Sequence, residues 1–361
     1  MQRRSVSLLN LWYAKLNFRL DTGKRMNVYR KCASLLRNDF TLMDALDRIY
    51  QIESKNGTKP DEPFAIALRA WQESLERGAP FADATRGWVP TNETLMLTLG
   101  DVSKLSVALE NVVRVGEGAS RISSAMLSAL SYPLFLLGLT VAIIIMVGLY
   151  LVPPLMEAAG GDIVWRGAAR MLVVVANFSS NYWMVVVGGF VAVALVMWMS
   201  LSTWSGRIRA VFDRIPPWSV YKISVSVGWL MSLSAMVGAG GNLTVAMKLL
   251  ADNSNAYLRS ILDSALRQIT NGDNLGQALA NNGRHFPNDE IIGDLAIYAD
   301  MNGFDENLNK IANDYLDSSV RRMENLSNIM NSIGILLVSV VIAWVVFGTF
   351  EMQDQITSAL S

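Results

Sequence analysis

The sequence predicts an all-α integral membrane protein, with duplicated cytoplasmic helical bundles and three transmembrane helices. Three observations carry this. Three long apolar runs hold no charged residue and no histidine. The rest of the chain repeats its apolar residues at helical spacing, as in Leu35, Leu36, Leu42, Ala45, Leu46 and Ile49, with no long period-two strands. Finally, the pattern of the first third recurs in order some two hundred residues later.

The apolar runs are PLFLLGLTVAIIIMVGLYLV (133–152), YWMVVVGGFVAVALVMWMSL (182–201) and SIGILLVSVVIAWVVFGTF (332–350). About 20 apolar residues at 1.5 Å rise cross a hydrocarbon core, so each reads as a span. They lift the hydrophobic fraction to 52% and leave 17% charged, with a mean hydropathy of +0.29. Residues 1–130 hold 18 of the 31 Lys and Arg and residues 202–331 hold 11, whereas 153–181 carries only Arg166 and Arg170. By the positive-inside rule the basic segments are cytoplasmic, and the loop and C-terminal tail lie outside.

In chain order, residues 1–25 form an amphipathic segment in which Leu8, Leu9, Trp12 and Leu16 share a helical face. With no small-residue cleavage site it is not expected to be a signal peptide. Either a surface-lying or partner-docking helix or one packed on its own bundle fits this face. Domain 1 covers 26–130, followed by the span 133–152, a periplasmic loop 153–181 and the span 182–201. Domain 2 covers 202–331 and repeats domain 1, followed by the span 332–350 and a periplasmic tail 351–361. Leu42, Ala45, Leu46 and Ile49 stand where Leu243, Ala246, Met247 and Leu250 recur. Gly78 matches Gly272, Phe81 matches Leu275 and Ala84 matches Ala278. Pro90 with Glu93 matches Pro287 with Glu290, and Asp101 with Leu109 matches Asp300 with Leu308. The glycines are placed to end helices in left-handed geometry. In VPTNETL and FPNDEII the asparagine is placed to cap, and Glu93 and Glu290 to face the helix's positive end.

Chemistry is hard to build from this composition. One Cys (Cys32) and one His (His285) exclude a disulfide framework and the usual zinc constellations. A formal net charge of zero argues against nucleic acid as a partner. TGKR at 22–25 lacks the glycine and hydroxyl of a phosphate loop, because Phe18 and Arg25 stand in those places. His285, beside Phe286-Pro287, reads as a linker residue, and Cys32 as a small core hydrophobe. No catalytic, cofactor-binding or metal-binding residue is expected, and the protein is read as a non-enzyme. The uncharged spans speak against a transporter or channel. Small-residue pairs such as Gly138 with Ala142, Gly188 with Ala192 and Ser339 with Ala343 fit close helix packing.

Each half therefore carries a hairpin before a Leu-x-x-Ala-Leu-like motif, then Gly-x-x-[apolar]-x-x-Ala, a Val-Pro or Phe-Pro helix start, an acidic turn and a helix towards the membrane. SYPLFLL at 131–137 introduces the first span. This order resembles the inner-membrane platform proteins of type IV pili and type II secretion systems, the PilC-like or "F" family, over roughly 26–350. The turns GDVSKL (100–105) and ADMNGF (299–304) depart from the family pattern and point to a type IVb pilus branch. The resemblance implies a non-enzymatic platform without cofactor, on the bacterial inner membrane with its N-terminus cytoplasmic. Implied partners are a hexameric assembly ATPase, major pilin or pseudopilins, other inner-membrane assembly proteins and further copies of the chain. Candidate structural or partner-contact residues are Asp101, Leu105, Pro133, Pro287, Asp300 and Gly303. A membrane scaffold of another complex is the rival reading, and a small transporter subunit the weaker one.

Overall fold

A computed structural model describes residues 8–102, 105–160, 163–299 and 301–360. Among them there is no β-strand, only an isolated bridge between Arg86 and Val89. The chain divides into two compact units. One holds residues up to Ser124 together with Thr203–Val320; the other holds Ala125–Ser202 and Arg321–Ser361.

The first unit contains the repeat. Helix α1 (Leu8–Leu20) precedes α2 (Thr22–Arg37), α3 (Leu42–Glu53), α4 (Pro63–Glu76), α5 (Phe81–Thr85), α6 (Thr91–Val102) and α7 (Leu105–Met146). The π-helical turn Val147–Leu151, α8 (Val152–Ala158) and α9 (Gly167–Thr203) follow. Then α10 (Arg207–Phe212) precedes α11 (Trp218–Gly238), α12 (Leu243–Asp252), α13 (Ala256–Thr270), α14 (Leu275–Ala280), α15 (Asp289–Tyr298) and α16 (Phe304–Leu360). The series α1 to α7 and α10 to α16 match in order, and both end in a long helix.

Local chemistry explains the breaks. Thr41 accepts from the Asp44 amide to cap α3, and Asn242 accepts from the Thr244 amide to cap α12. Asn274 opens α14 in a capping box with Gln277, and Asn288 caps α15 as expected, whereas Asn92, expected to cap α6, lies within it, because α6 already begins at Thr91. Gly78 (φ 83°) and Gly272 (φ 106°) follow α4 and α13 in the geometry expected of them.

Aromatic packing fills the first bundle, where Phe18 lies 4.5 Å from Phe64 and 5.1 Å from Trp71 between ring centroids. In the second, Trp229 lies 5.5 Å from Phe286. Gly116 leaves room for Met26, whose sulfur would lie 2.3 Å from an added Cβ. In the second bundle the Ser226 and Tyr315 hydroxyls meet at 2.8 Å. The two bundles are joined by Arg121 and Asp317 at 2.8 Å and by the Asn111 amide donating to the Ala235 carbonyl.

In the second unit, Ala169, Leu172, Val173 and Ala176 of α9 pack with Val152, Val345 and Met352. Glu351 accepts from the Ala169 amide at 3.0 Å, placing an acid at the positive end of α9. The last segment of the chain is thereby held as helix.

Two expectations change, a further apolar helix is found, and α1 takes up one of the two settings left open for it. Residues 153–181, read as a loop, are largely helical, because the apolar residues from Ala169 on have a face to bury. Residues 351–360, read as a tail, continue α16. Four helices, not three, are long and apolar enough to cross a membrane among the described residues; the addition is α11. Its most apolar stretch is 56% buried within the protein, against 22%, 6% and 11% for the others, so α11 is a bundle-core helix. Finally, α1 packs on α4 through buried Ala14 and Phe18, while Trp12 (64% exposed) and Leu16 (40%) face outward.

Candidate functional site

Helix α2 buries Arg25, Met26, Tyr29, Cys32 and Ala33 along one stripe, and Arg25 is the charge on it. Its Nε donates to Glu93 at 2.9 Å and its Nη2 at 2.8 Å. Its Nη1 donates to the carbonyls of Phe18 and Arg19, both at 2.8 Å. The Tyr29 hydroxyl donates at 3.1 Å to Oε2 of the same carboxylate, the oxygen that Arg25 Nε also reaches. Glu93 is therefore an ion-pair partner that ties α6 to α1 and α2, and not the simple capping acid expected from VPTNETL. Burial, then the Glu93 charge, pushes the Tyr29 hydroxyl well above its usual range. Exposed pairs add Arg30 with Glu117 and Arg37 with Glu110.

This network forms one wall of a cleft between the bundles, with a volume of about 440 Å³. Arg25, Glu93, Met96 and Val112 come from the first bundle, and Trp229 and Leu250 from the second. Arg25 and Glu93 neutralise each other, so the cleft has no net charge, and its lining is mixed, with Asn92, Asn253 and Asn255 beside Met96, Val112 and Leu258. The indole Nε1 of Trp229 is buried and has no hydrogen-bond partner. Such a surface suits a neutral side chain or a helix edge; it holds no nucleophile poised beside a base.

A second polar cluster lies at the start of the second repeat. Arg209, 1% exposed, stacks on Tyr257 at 5.0 Å, and its nearest carboxylate oxygen, on Asp213, is 3.3 Å away. The Tyr257 hydroxyl donates to Asp213 at 3.0 Å. Burial raises the Asp213 carboxyl, against the opposing pull of Arg209 and Tyr257. Burial likewise lowers the Arg209 guanidinium and raises the Tyr257 hydroxyl. Among the described residues no group of three or more His, Cys, Asp or Glu is arranged to hold a metal. His285 (φ 50°) is an exposed linker residue whose Nδ1 lies 2.6 Å from Asp289.

The candidates named from the sequence fall at helix junctions and do not assemble into one site. Asp101 lies in the last turn of α6, and half-buried Leu105 opens α7. Gly303 (φ 77°) precedes α16, the equivalent junction. Asp300 lies outside the described residues. Pro287 is buried ahead of the Asn288 cap, and Pro133 lies within α7. Tyr29 and Trp229 escaped the sequence reading, which took Arg25 only as a break in a phosphate loop and Glu93 only as an acid at a helix start. The available signal was Arg25, a lone cation on an otherwise apolar helical stripe.

The profile of the family described as Type II secretion system (T2SS), protein F matches residues 28–153 and again 229–350. A similar protein is Toxin coregulated pilus biosynthesis protein E of Vibrio cholerae serotype O1 (strain ATCC 39315 / El Tor Inaba N16961). It is 21% identical over 340 residues, covering 93% of this chain and 98% of the relative.

Proposed function

This chain belongs to the family of type II secretion system protein F, and we propose that it is the inner-membrane platform of a type IV pilus machine. It relays motion of a cytoplasmic assembly ATPase to pilin subunits as they leave the membrane. The similarity in sequence to a pilus biosynthesis protein along nearly the whole of both chains favours a pilus over a secretion assembly. The observation that carries the relay is the duplicated series itself. Each bundle ends in a helix, α7 or α16, that continues as one element into a membrane-length apolar stretch.

The division of labour follows from energetics. Withdrawing a pilin helix of ~20 apolar residues costs on the order of 10 kcal/mol at roughly 0.5 kcal/mol per residue. The chain carries no recognisable phosphate loop, so this work comes from a hexameric ATPase docked on the bundles, both of which are cytoplasmic. Pilin helices, other inner-membrane assembly proteins and further copies of the chain meet the apolar helices.

Co-purification tests this directly. The full-length protein should retain a hexameric assembly ATPase from its own host, and deletion of 27–125 should leave the remainder in the membrane and abolish pili. Wild-type piliation from that well-expressed deletion would favour the second reading, a passive membrane scaffold.

A further inference from the structure

Each repeat opens on a helix that turns an apolar row outward, and for α10 the chain itself says what lies beside it. Ile208 and Val211, 67% and 63% exposed, lie three residues apart on one face of α10, and Ile215, 54% exposed, follows just past its end. Arg209 and Asp213 occupy the opposite face against Tyr257. Helix α9, which holds a membrane span, ends at Thr203. Even fully extended, the chain from Thr203 to Ile208 reaches at most about 18 Å. The apolar row is thus tethered next to the bilayer boundary.

Helix α1 is its counterpart. It precedes α2 as α10 precedes α11, and packs on α4 through Phe18 as α10 packs on α13 through Asp213. It too exposes an apolar row, with Trp12 at 64%, Tyr13 at 55%, Leu16 at 40% and Leu20 at 71%. Trp and Tyr are the residues that favour the headgroup level. Charge points the same way. Residues 1–23 hold Arg3, Arg4, Lys15 and Arg19 against the single acid Asp21, and 204–214 hold Arg207 and Arg214 beside the Arg209–Asp213 pair, in a chain whose totals balance at 31 and 31. Excess positive charge beside an apolar helical row is the signature of a helix lying on anionic lipid.

We propose that α1 and α10 are a pair of interfacial helices, each laying its apolar row into the headgroup boundary of an anionic leaflet, so that each repeat has its own lipid contact.

The test uses the full-length protein with Cys32→Ala, reconstituted in nanodiscs of phosphatidylcholine with and without phosphatidylglycerol. Nitroxide labels go on Trp12→Cys, Leu20→Cys, Ile208→Cys and Val211→Cys, two positions per helix, so that one poorly folded variant leaves the other to report. Oxygen collisions should exceed those of a water-soluble nickel chelate several-fold at all four positions, and the excess should grow with phosphatidylglycerol. Free access of the chelate at either helix overturns the pairing. Shielding from both reagents overturns the lipid assignment, because protein, such as a second copy of the chain, then covers the row.

Discussion

The Arg25 guanidinium and the Glu93 carboxylate meet at 2.8 Å across a sequence separation of 68 residues, with side chains 2% and 12% exposed. Removing one partner strands a buried charge. Glu93→Leu should therefore destabilise the protein by about 3–5 kcal/mol, whereas Arg25→Met with Glu93→Leu should recover most of that loss. Thermal unfolding of the detergent-purified chain reads both. A double variant as unstable as the single one would show that the carboxylate acts through something other than Arg25.

Cys32 supplies a chemical check on the first bundle. Burial pushes its thiol from 9.0 to about 12, which lowers the thiolate fraction at pH 8 about a thousandfold. The native protein should resist iodoacetamide at pH 8, and unfolding should release one reactive thiol. Rapid native labelling would show that α2 does not hold its stripe inside.

Gly276 and Gly293 form a contrasting pair on the adjoining helices α14 and α15. A Cβ at 276 would lie 2.1 Å from the Ala296 backbone nitrogen, while a Cβ at 293 meets nothing within 4 Å. Gly276→Ala must push two backbones apart and should cost about 1–3 kcal/mol. Gly293→Ala should be neutral or stabilising by roughly 0.5–1 kcal/mol. Comparable melting temperatures for the two variants would contradict the close approach.

Gly303 sits at φ 77° ahead of α16. Gly303→Val forces a β-branched residue into that region at about 1–3 kcal/mol. Membrane abundance should stay normal while pilus output falls. Full output would remove this junction from the relay.

Topology is testable with reporters. Fusions of a periplasm-active enzyme after Asp162 and Ser361 should be active, and those after Lys55 and Asn271 silent. Activity at the last two would place the basic segments outside.

Much of this molecule was legible in the sequence, and what was missed shares a cause. Runs such as 133–152, the Asn288 cap and the turn glycines at 78 and 272 are encoded within a few residues, so local pattern suffices. The sequence places 218–238 within domain 2, although Val, Trp, Leu and Met serve a bundle core and a bilayer equally well. Only its burial separates it from a span. The cleft depends on which helices meet. Glu93 looked like a cap because its partner, Arg25, lies several helices earlier, and the helical course of 167–181 is explained by packing against Val345 and Met352.

The Ser226–Tyr315 contact records how far the two halves have drifted since duplication. Ser226 lies as far from the end of α11 as Arg25 lies from the end of α2, and Tyr315 as far into α16 as Gly116 lies into α7. Where the first half has a long cation and a glycine, the second has a short hydroxyl and an aromatic ring. In the first half Arg25 turns to Glu93 and Gly116 takes Met26, while in the second Ser226 meets Tyr315, so neither position can be exchanged alone: Tyr at 116 would meet Met26, and Arg at 226 would meet Tyr315. The ancestral symmetry survives in the helix order and has been lost from the interior. Two copies of either half would not rebuild this protein.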